Sequence, residues 1–137
     1  MLLGLLVLAF ATGWVLTPSA GDVQARTAEL ARQEHATSIA PERLPPRVID
    51  ALVATEDERF FQHHGIDMIG IGRALLADLR SGCLCQGGST LTQQLVKQLY
   101  LDGSDRGFNK LRSVFLAFKV ENEISKRQIL ADYLTVT

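Results

Sequence analysis

The first 20 of the 137 residues contain no Asp, Glu, Lys or Arg, so the 14 basic and 15 acidic residues all lie further along the chain. The formal net charge is only −1. The chain therefore lacks the positive excess on which non-specific nucleic-acid binding depends, and it has no strongly acidic tail. We expect no nucleic-acid partner, and we expect an apolar leader followed by a soluble part with an ordinary proportion of charge.

Cysteine is scarce: the chain has two, Cys83 and Cys85, separated by one residue. A structural zinc site typically takes four ligands arranged in pairs, and a disulfide across a single residue would be strained. The sequence therefore predicts no metal-ligating residues here. It predicts two loop thiols without a role. These two cysteines do not indicate whether the protein works in an oxidising or a reducing compartment.

The leader is an uncharged run of fifteen residues from Leu2 to Leu16. A membrane-spanning helix needs roughly 17–25 residues, and a signal peptide normally begins with a basic segment that is missing here. Trp14 stands near the polar end of the run, where aromatic side chains favour a membrane interface. We interpret residues 1–20 as a transmembrane anchor or an uncleaved signal, with a buried core helix as the alternative.

Proline marks the organisation of the remainder, because three of the four prolines lie within residues 41–46. We expect a polar helical stalk or linker over residues 21–45 and a compact domain over residues 46–137. No alternating strand pattern exceeds four residues, so the fold class predicted is all-α. The predicted helices begin at Pro46, at Ile69, after an N-cap at Ser89, at Phe108 and after an N-cap at Ser125.

A dense polar segment follows the first helix of this domain, from Glu56 to Gly65. Glu56 lies on the helical face of Leu52 and Phe60, so a partly apolar wall would surround its carboxylate. Such a carboxylate is a candidate general base or acid. A solvated helix end and a structural histidine at His63 are the alternatives.

A glycine-rich turn, Gly87-Gly88-Ser89-Thr90, precedes the next helix. Glycine permits close approach of the backbone, and the start of a helix offers N–H groups and hydroxyls to an anion. A simple helix cap explains the turn equally well, and the spacing of a P-loop is absent. Seven cations between Lys97 and Arg127 add a local basic excess. If Leu111 and Phe115 are buried, Lys110 lies off their stripe and Arg112 reaches a cleft edge.

These two segments together resemble a known family. Glu56-Asp57-x-x-Phe60-x-x-His63-x-Gly65, followed by the run from Gly87 to Leu95, is similar to the first two motifs of the bacterial peptidoglycan glycosyltransferases, glycosyltransferase family 51. That domain occurs in bifunctional penicillin-binding proteins and in monofunctional transglycosylases. The resemblance covers residues 46–137, and no Ser-x-x-Lys transpeptidase motif is present.

The resemblance implies a lysozyme-like helical domain behind an N-terminal membrane anchor. It implies that this domain polymerises lipid II on the extracytoplasmic side of the cytoplasmic membrane. Glu56 matches the catalytic base, which deprotonates the 4-hydroxyl of the acceptor sugar. The matching substrate-binding residues are Asp57, His63, Ser89, Thr90, Gln94, Lys97, Lys110 and Arg112. The implied partners are lipid II, the growing glycan strand, the membrane and a separate transpeptidase.

The third motif departs from the family pattern of Arg-Lys-x-x-Glu. The matching run is Asn109-Lys110-Leu111-Arg112-Ser113, so a serine replaces the second glutamate. A divalent cation, Mg²⁺ or Mn²⁺, is the one cofactor that the family allows, and Ser113 would weaken its site. The chain also stops at Thr137 soon after an apolar helix, which favours a partial domain. The alternatives are an impaired module that binds lipid II or glycan, and a lysozyme-like hydrolase.

Overall fold

The computed structural model describes residues 2–82, 87–104 and 106–137 of the chain, and these residues form α-helices, two 3-10 turns and no strand. The all-α prediction is thus confirmed for the described ranges. Cys83 and Cys85 lie outside them. The helices are α1 (Leu2–Leu16), α2 (Val23–Gln33), α3 (Pro46–Glu56), α4 (Met68–Ser81), α5 (Leu91–Tyr100), α6 (Phe108–Glu123) and α7 (Lys126–Val136).

Helix boundaries follow local signals in the sequence. Pro46 occupies the first turn of α3, where its missing N–H is not needed. Gly82 ends α4 in the left-handed conformation, and Ser125 caps α7 by accepting a hydrogen bond from the Gln128 amide. These three predicted boundaries match the observed ones.

The start of α5 differs by one residue from its prediction. Thr90, and not Ser89, is the N-cap: its Oγ1 accepts a hydrogen bond from the Gln93 amide, and the Gln93 side chain accepts one from the Thr90 amide. This reciprocal capping box selects Thr90 because a glutamine lies three residues after it. Ser89 therefore lies outside the helix, and its hydroxyl accepts a hydrogen bond from Lys110.

Helix α5 lies at the centre of the fold and packs against α2, α6 and α7. Its side chains Leu91, Leu95 and Val96 are fully enclosed. They meet apolar residues of α6 and α7 in one core, which also includes Phe60 from the segment after α3. The fully buried partners from α6 and α7 are Leu116, Val120, Ile129 and Leu130.

Helix α2 belongs to this packed core, although residues 21–45 were expected to form a stalk. Val23 and Ala31 are buried against α5 and α7, and the Gln24 side chain donates a hydrogen bond to Asp132 on α7 at 2.7 Å. Although α2 is mostly polar, it has a narrow apolar face that includes Val23 and Ala31. That face is sufficient because α5 and α7 provide the surface that covers it.

Helix α6 turns toward the core a face that includes Ala117 and Val120, as its apolar pattern predicts, but not Leu111. Ser113, Leu116, Ala117 and Val120 are buried, whereas Leu111 is 59% exposed. Both stripes have helical spacing, and packing against α5 selects the one with smaller residues. Leu111 and Phe115 point instead toward α1.

Helix α1 packs on α6 through a close crossing. A Cβ placed on Gly13 would lie 2.4 Å from the ring of Phe115, so a larger residue there would force this ring to move. Lys119 of α6 donates hydrogen bonds to the carbonyl oxygens of Trp14 and Thr17, each at 2.7 Å. Burial lowers the pKa of Lys119. Among the described residues, no helix is long and apolar enough to cross a membrane.

Candidate active site

One polar cleft of about 220 Å³ lies between the end of α3, the first turns of α4 and the turn that precedes α5. Glu56, Asp57, Ser89 and Thr90 line this cleft, so four of the predicted site residues share one surface. The pair Glu56-Asp57 is separated from the pair Ser89-Thr90 by more than thirty positions in the sequence. The fold brings them together because α3 and the start of α5 meet above the core.

Glu56 is the last residue of α3, and its carboxylate is open to solvent at the cleft. Gln94 on α5 donates a hydrogen bond from Nε2 to Glu56 Oε2 at 3.0 Å. The amide oxygen of Gln94 in turn accepts a hydrogen bond from the hydroxyl of Tyr133 at 3.2 Å. One carboxylate oxygen is therefore held in place, while no described side chain donates to Oε1. Such an oxygen can accept a proton from a hydroxyl group in the cleft.

Tyr133 takes part in this arrangement, although it is not among the site residues predicted from the sequence. Burial, together with the nearby charge of Glu56, raises the pKa of Tyr133. Its hydroxyl therefore stays protonated and orients Gln94. Tertiary packing of α7 on α5 brings this hydroxyl to Gln94.

Asp57 and His63 form a buried pair directly behind Glu56. His63 Nε2 lies 3.0 Å from both carboxylate oxygens of Asp57, and the two side chains are only 5% and 4% exposed. Asp57 Oδ2 also accepts a hydrogen bond from the backbone amide of Leu91, the first residue of α5, at 3.0 Å. The pair therefore fixes the end of α3 to the start of α5. His63 does not line the cleft and instead lies buried behind Asp57.

The start of α5 is less open to an external anion than the sequence suggested. The amide of Leu91 donates to Asp57, and the amide of Gln93 donates to Thr90. The negative charge that favours a helix N-terminus is thus supplied by the protein itself. Ser89 Oγ remains at the cleft, where Lys110 Nζ of α6 reaches it at 2.5 Å. A cation beside a hydroxyl is an arrangement that can bind an anion.

Two predicted cations do not line the polar cleft. Lys97 lies on α5, one turn beyond Gln94, and is half-buried. Arg112 lines a separate apolar groove between α1 and α6, because α6 is rotated relative to the predicted orientation. Lys110 does not line the cleft either, but its Nζ donates a hydrogen bond to Ser89 Oγ in the cleft wall.

Other charged residues of the cleft were not selected from the sequence. Arg73 of α4 pairs with Glu58 at 2.8 Å, and Asp67 pairs with Arg59 at 3.2 Å. Burial alone would raise the pKa of Asp67, but hydrogen bonds from the Gly70 backbone and Arg59 hold it below its usual value. Asp67 also caps α4 by accepting from the Ile69 amide. An Asp before an apolar helix is a capping signal that could have identified it.

The described residues do not suit a divalent cation. Mg²⁺ and Mn²⁺ prefer several oxygen ligands, chiefly carboxylates. Asp57, Glu58 and Asp67 already bind His63, Arg73 and Arg59, respectively, and Ser113 is fully buried with its hydroxyl donating to the Lys110 carbonyl. No group of three or more His, Cys, Asp or Glu in the described ranges has a geometry that could hold a metal.

Gly65, at the end of the polar segment that begins at Glu56, packs closely against α6 and the start of α5. Its φ is +83°, and an added Cβ would lie 2.9 Å from the backbone nitrogen of Phe118 on α6. Its carbonyl accepts a hydrogen bond from Thr90 Oγ1 at 2.6 Å. The close contact ties the segment after His63 to both α5 and α6, and only glycine allows it.

Comparison with known proteins adds evidence for the whole arrangement. The family model described as Transglycosylase matches residues 22–137, which include every predicted site residue and also α2. Penicillin-binding protein 1A of Escherichia coli (strain K12) is 43% identical over 93 residues, and that of Haemophilus influenzae is 46% identical over 91 residues. These matches cover 68% and 66% of this chain and 11% of each relative.

A shorter relative is also similar to this chain. The monofunctional glycosyltransferase of Staphylococcus epidermidis is 44% identical over 96 residues, which are 70% of this chain and 35% of that protein. The chain thus spans about a tenth of the penicillin-binding proteins and about a third of the monofunctional enzyme. The resemblance noted in the two motifs is confirmed, and the chain belongs to the transglycosylase family.

Proposed function

We propose that the protein is a peptidoglycan glycosyltransferase that polymerises lipid II into β-1,4-linked glycan strands. The observation that carries this proposal is the position of Glu56, held by Gln94 at the edge of a cleft that also contains Ser89 with its Lys110 partner. A base and an anion-binding group thus share one cavity. Membership of the transglycosylase family and similarity to a monofunctional glycosyltransferase support the same reaction.

In the proposed reaction, Glu56 accepts the proton of the 4-hydroxyl group of the acceptor sugar. The acceptor oxygen forms a bond to the anomeric carbon of the donor, and the bond from that carbon to the pyrophosphate breaks on the opposite face. The leaving lipid pyrophosphate carries the negative charge away. Because pyrophosphate is a good leaving group, cations can stabilise its charge without a general acid.

We assign Ser89, Thr90, Lys97 and Lys110 to the donor pyrophosphate. Asp57 and His63 act as positioning residues in this proposal, because their side chains are buried and bind each other. They hold Glu56 against α5, so that Gln94 can reach it. No step of the proposed reaction uses a metal ion.

We further propose that α1 anchors the protein in the cytoplasmic membrane with the catalytic domain on its extracytoplasmic side. The fifteen residues of α1 are uncharged, and Leu8, Val15 and Leu16 are more than 60% exposed. Helix α4 adds exposed apolar side chains at Met68 and Leu79. We also propose that the protein binds a lipid substrate in this membrane and that a separate transpeptidase is its partner. Protease digestion of spheroplasts would test the side on which the domain lies.

The decisive experiment is incubation of the purified protein with labelled lipid II, followed by separation of the products by size. A ladder of glycan strands that lysozyme digests would support the transferase. Binding of lipid II without any product would favour the alternative, an impaired binding module. Ser113 is the observation that favours this second candidate, since it supplies no carboxylate where family members usually have one. Release of muropeptides from preformed wall would indicate a hydrolase instead.

A further inference from the structure

Two apolar stripes face each other between α1 and α6. Leu8, Thr12 and Leu16 recur every fourth residue on α1, and Phe108, Leu111 and Phe115 follow helical spacing on α6. The helices touch where Gly13 meets Phe115, and from this crossing they enclose a groove of about 490 Å³. This volume lies within the range of about 300–1,000 Å³ that is usual for small-ligand pockets.

The side chains that line the groove are large and exposed. The exposed fractions are 63% for Leu8, 67% for Leu16, 66% for Phe108 and 59% for Leu111. Four such residues around one concave surface form an apolar patch that a monomer rarely leaves open to water. A groove with one such stripe on each side fits a hydrocarbon chain.

Arg112 gives the groove a charged end. It is the only charged residue among the described residues that line the groove, and its Nη1 donates a hydrogen bond to the neutral amide oxygen of Asn109 at 3.3 Å. It lies in the second turn of α6, whose N-terminal end has no side-chain cap. The guanidinium charge favours an anion at this end of the groove.

We propose that this groove binds one anionic phospholipid, with an acyl chain between the two stripes and the phosphate on Arg112. The groove shares no lining residue with the polar cleft, so this lipid is distinct from a glycan substrate. The inference uses the proposed membrane anchor at α1 and does not depend on the transfer reaction. In this proposal Arg112 binds the lipid phosphate, whereas Lys110, two residues earlier, contacts Ser89 in the wall of the polar cleft.

Trp14 offers a nearby probe, because it is the only tryptophan and lies on α1 next to Gly13, with its side chain on the adjacent face of the helix. The protein is reconstituted in phosphatidylcholine nanodiscs that contain a small fraction of a brominated lipid, either phosphatidylglycerol or phosphatidylcholine. Bromine quenches tryptophan fluorescence on contact. We expect the brominated phosphatidylglycerol to be preferred about five-fold, the effect typical of one basic residue near an anionic lipid.

Two substitutions with matched controls locate the site. Arg112→Gln removes the cation, and Leu111→Asp places a carboxylate beside it at an exposed position that the core does not need. Both are expected to abolish the preference for phosphatidylglycerol. Arg106→Gln and Leu75→Asp change exposed residues outside the groove and should leave the preference unchanged.

Several results would overturn the proposal. They are equal quenching by the two brominated lipids, a preference that survives both groove variants, and an equal loss in Arg106→Gln. Displacement of phosphatidylglycerol by an equimolar polyprenyl phosphate would assign the groove to the donor lipid and would also reject the proposal. Since the readout is fluorescence, these results are independent of whether the protein polymerises lipid II.

Discussion

Gln94 Nε2 lies 3.0 Å from Glu56 Oε2, and through this hydrogen bond α5 determines the orientation of the carboxylate at the end of α3. The contact spans 38 residues of sequence. It is supported from behind by Asp57, which accepts a hydrogen bond from the first amide of α5. The proposed base is therefore positioned by a helix other than its own, and its function should depend on both helices.

Glu56→Gln should reduce the rate of lipid II polymerisation by about 10²–10⁴-fold, because it preserves shape but removes the base. Binding of lipid II should change little. The measurement is the initial rate of glycan formation by the purified protein, with the exposed Glu42→Gln as the control. Retention of more than a third of the rate would show that Glu56 is not the base.

Tyr133→Phe should lower the same rate by about five-fold, far less than Glu56→Gln. The substitution removes one hydrogen bond to Gln94, a loss worth about 1 kcal/mol, and leaves the Glu56 carboxylate in place. Tyr100→Phe is the matched control, since the hydroxyl of this second tyrosine contacts Asp22 away from the cleft. An equal loss in both variants would mean that the effect is on stability.

Lys110→Ala and Lys97→Ala should each weaken use of the donor by roughly ten-fold, the value expected for a charge-assisted hydrogen bond. The loss should shrink as salt increases, because salt screens the contribution of the cation in the native protein. Polymerisation is measured over a range of lipid II and salt concentrations. Glu123→Ala, at the exposed end of α6, provides the comparison. The assignment to the pyrophosphate would be rejected if all three variants lost activity equally.

Removal of divalent cations should leave polymerisation within about two-fold of its starting rate. The carboxylates of the cleft other than Glu56 are bound to His63, Arg73 and Arg59, and Ser113 replaces the second glutamate of the family pattern. Hard cations require free carboxylate oxygens. Activity is compared in EDTA and in added Mg²⁺ or Mn²⁺. A loss of nine-tenths in EDTA that Mg²⁺ restores would contradict this prediction.

Asp67→Asn should lower the free energy of unfolding by about 1 kcal/mol at pH 7, because it removes the partly buried pair with Arg59 but retains a good helix cap. The folded protein holds the pKa of Asp67 below its usual value of 3.8. The ionised form therefore contributes its full stability above pH 3.8, and this contribution is lost as the pH falls through the lower pKa of the folded state.

Urea unfolding of the wild type and Asp67→Asn at pH 7 and at pH 3 measures this effect. The difference between the two proteins should narrow at pH 3. The exposed Asp50→Asn variant serves as the control at both pH values. A difference that stayed constant, or grew, on acidification would show that the charge of Asp67 does not stabilise the fold.

The sequence by itself determined the helical class, the main helix boundaries and the family. Pro46, Gly82 and Ser125 act on the backbone within one turn, so their effects do not depend on distant residues. The two motifs identified Glu56 and Ser89 because their residue types and spacing are unusual as a combination. These features are local, so they could be predicted from the sequence without knowledge of the tertiary structure.

Tertiary structure alone decided which surfaces meet. The sequence of α6 contains two stripes with helical spacing, and only packing against α5 buries Ser113 and exposes Leu111. The same rotation directs Arg112 to the groove and Lys110 to Ser89. The contacts among Glu56, Gln94 and Tyr133 likewise join three helices. Since burial and hydrogen bonding between distant segments depend on how helices pack, no local pattern specifies them.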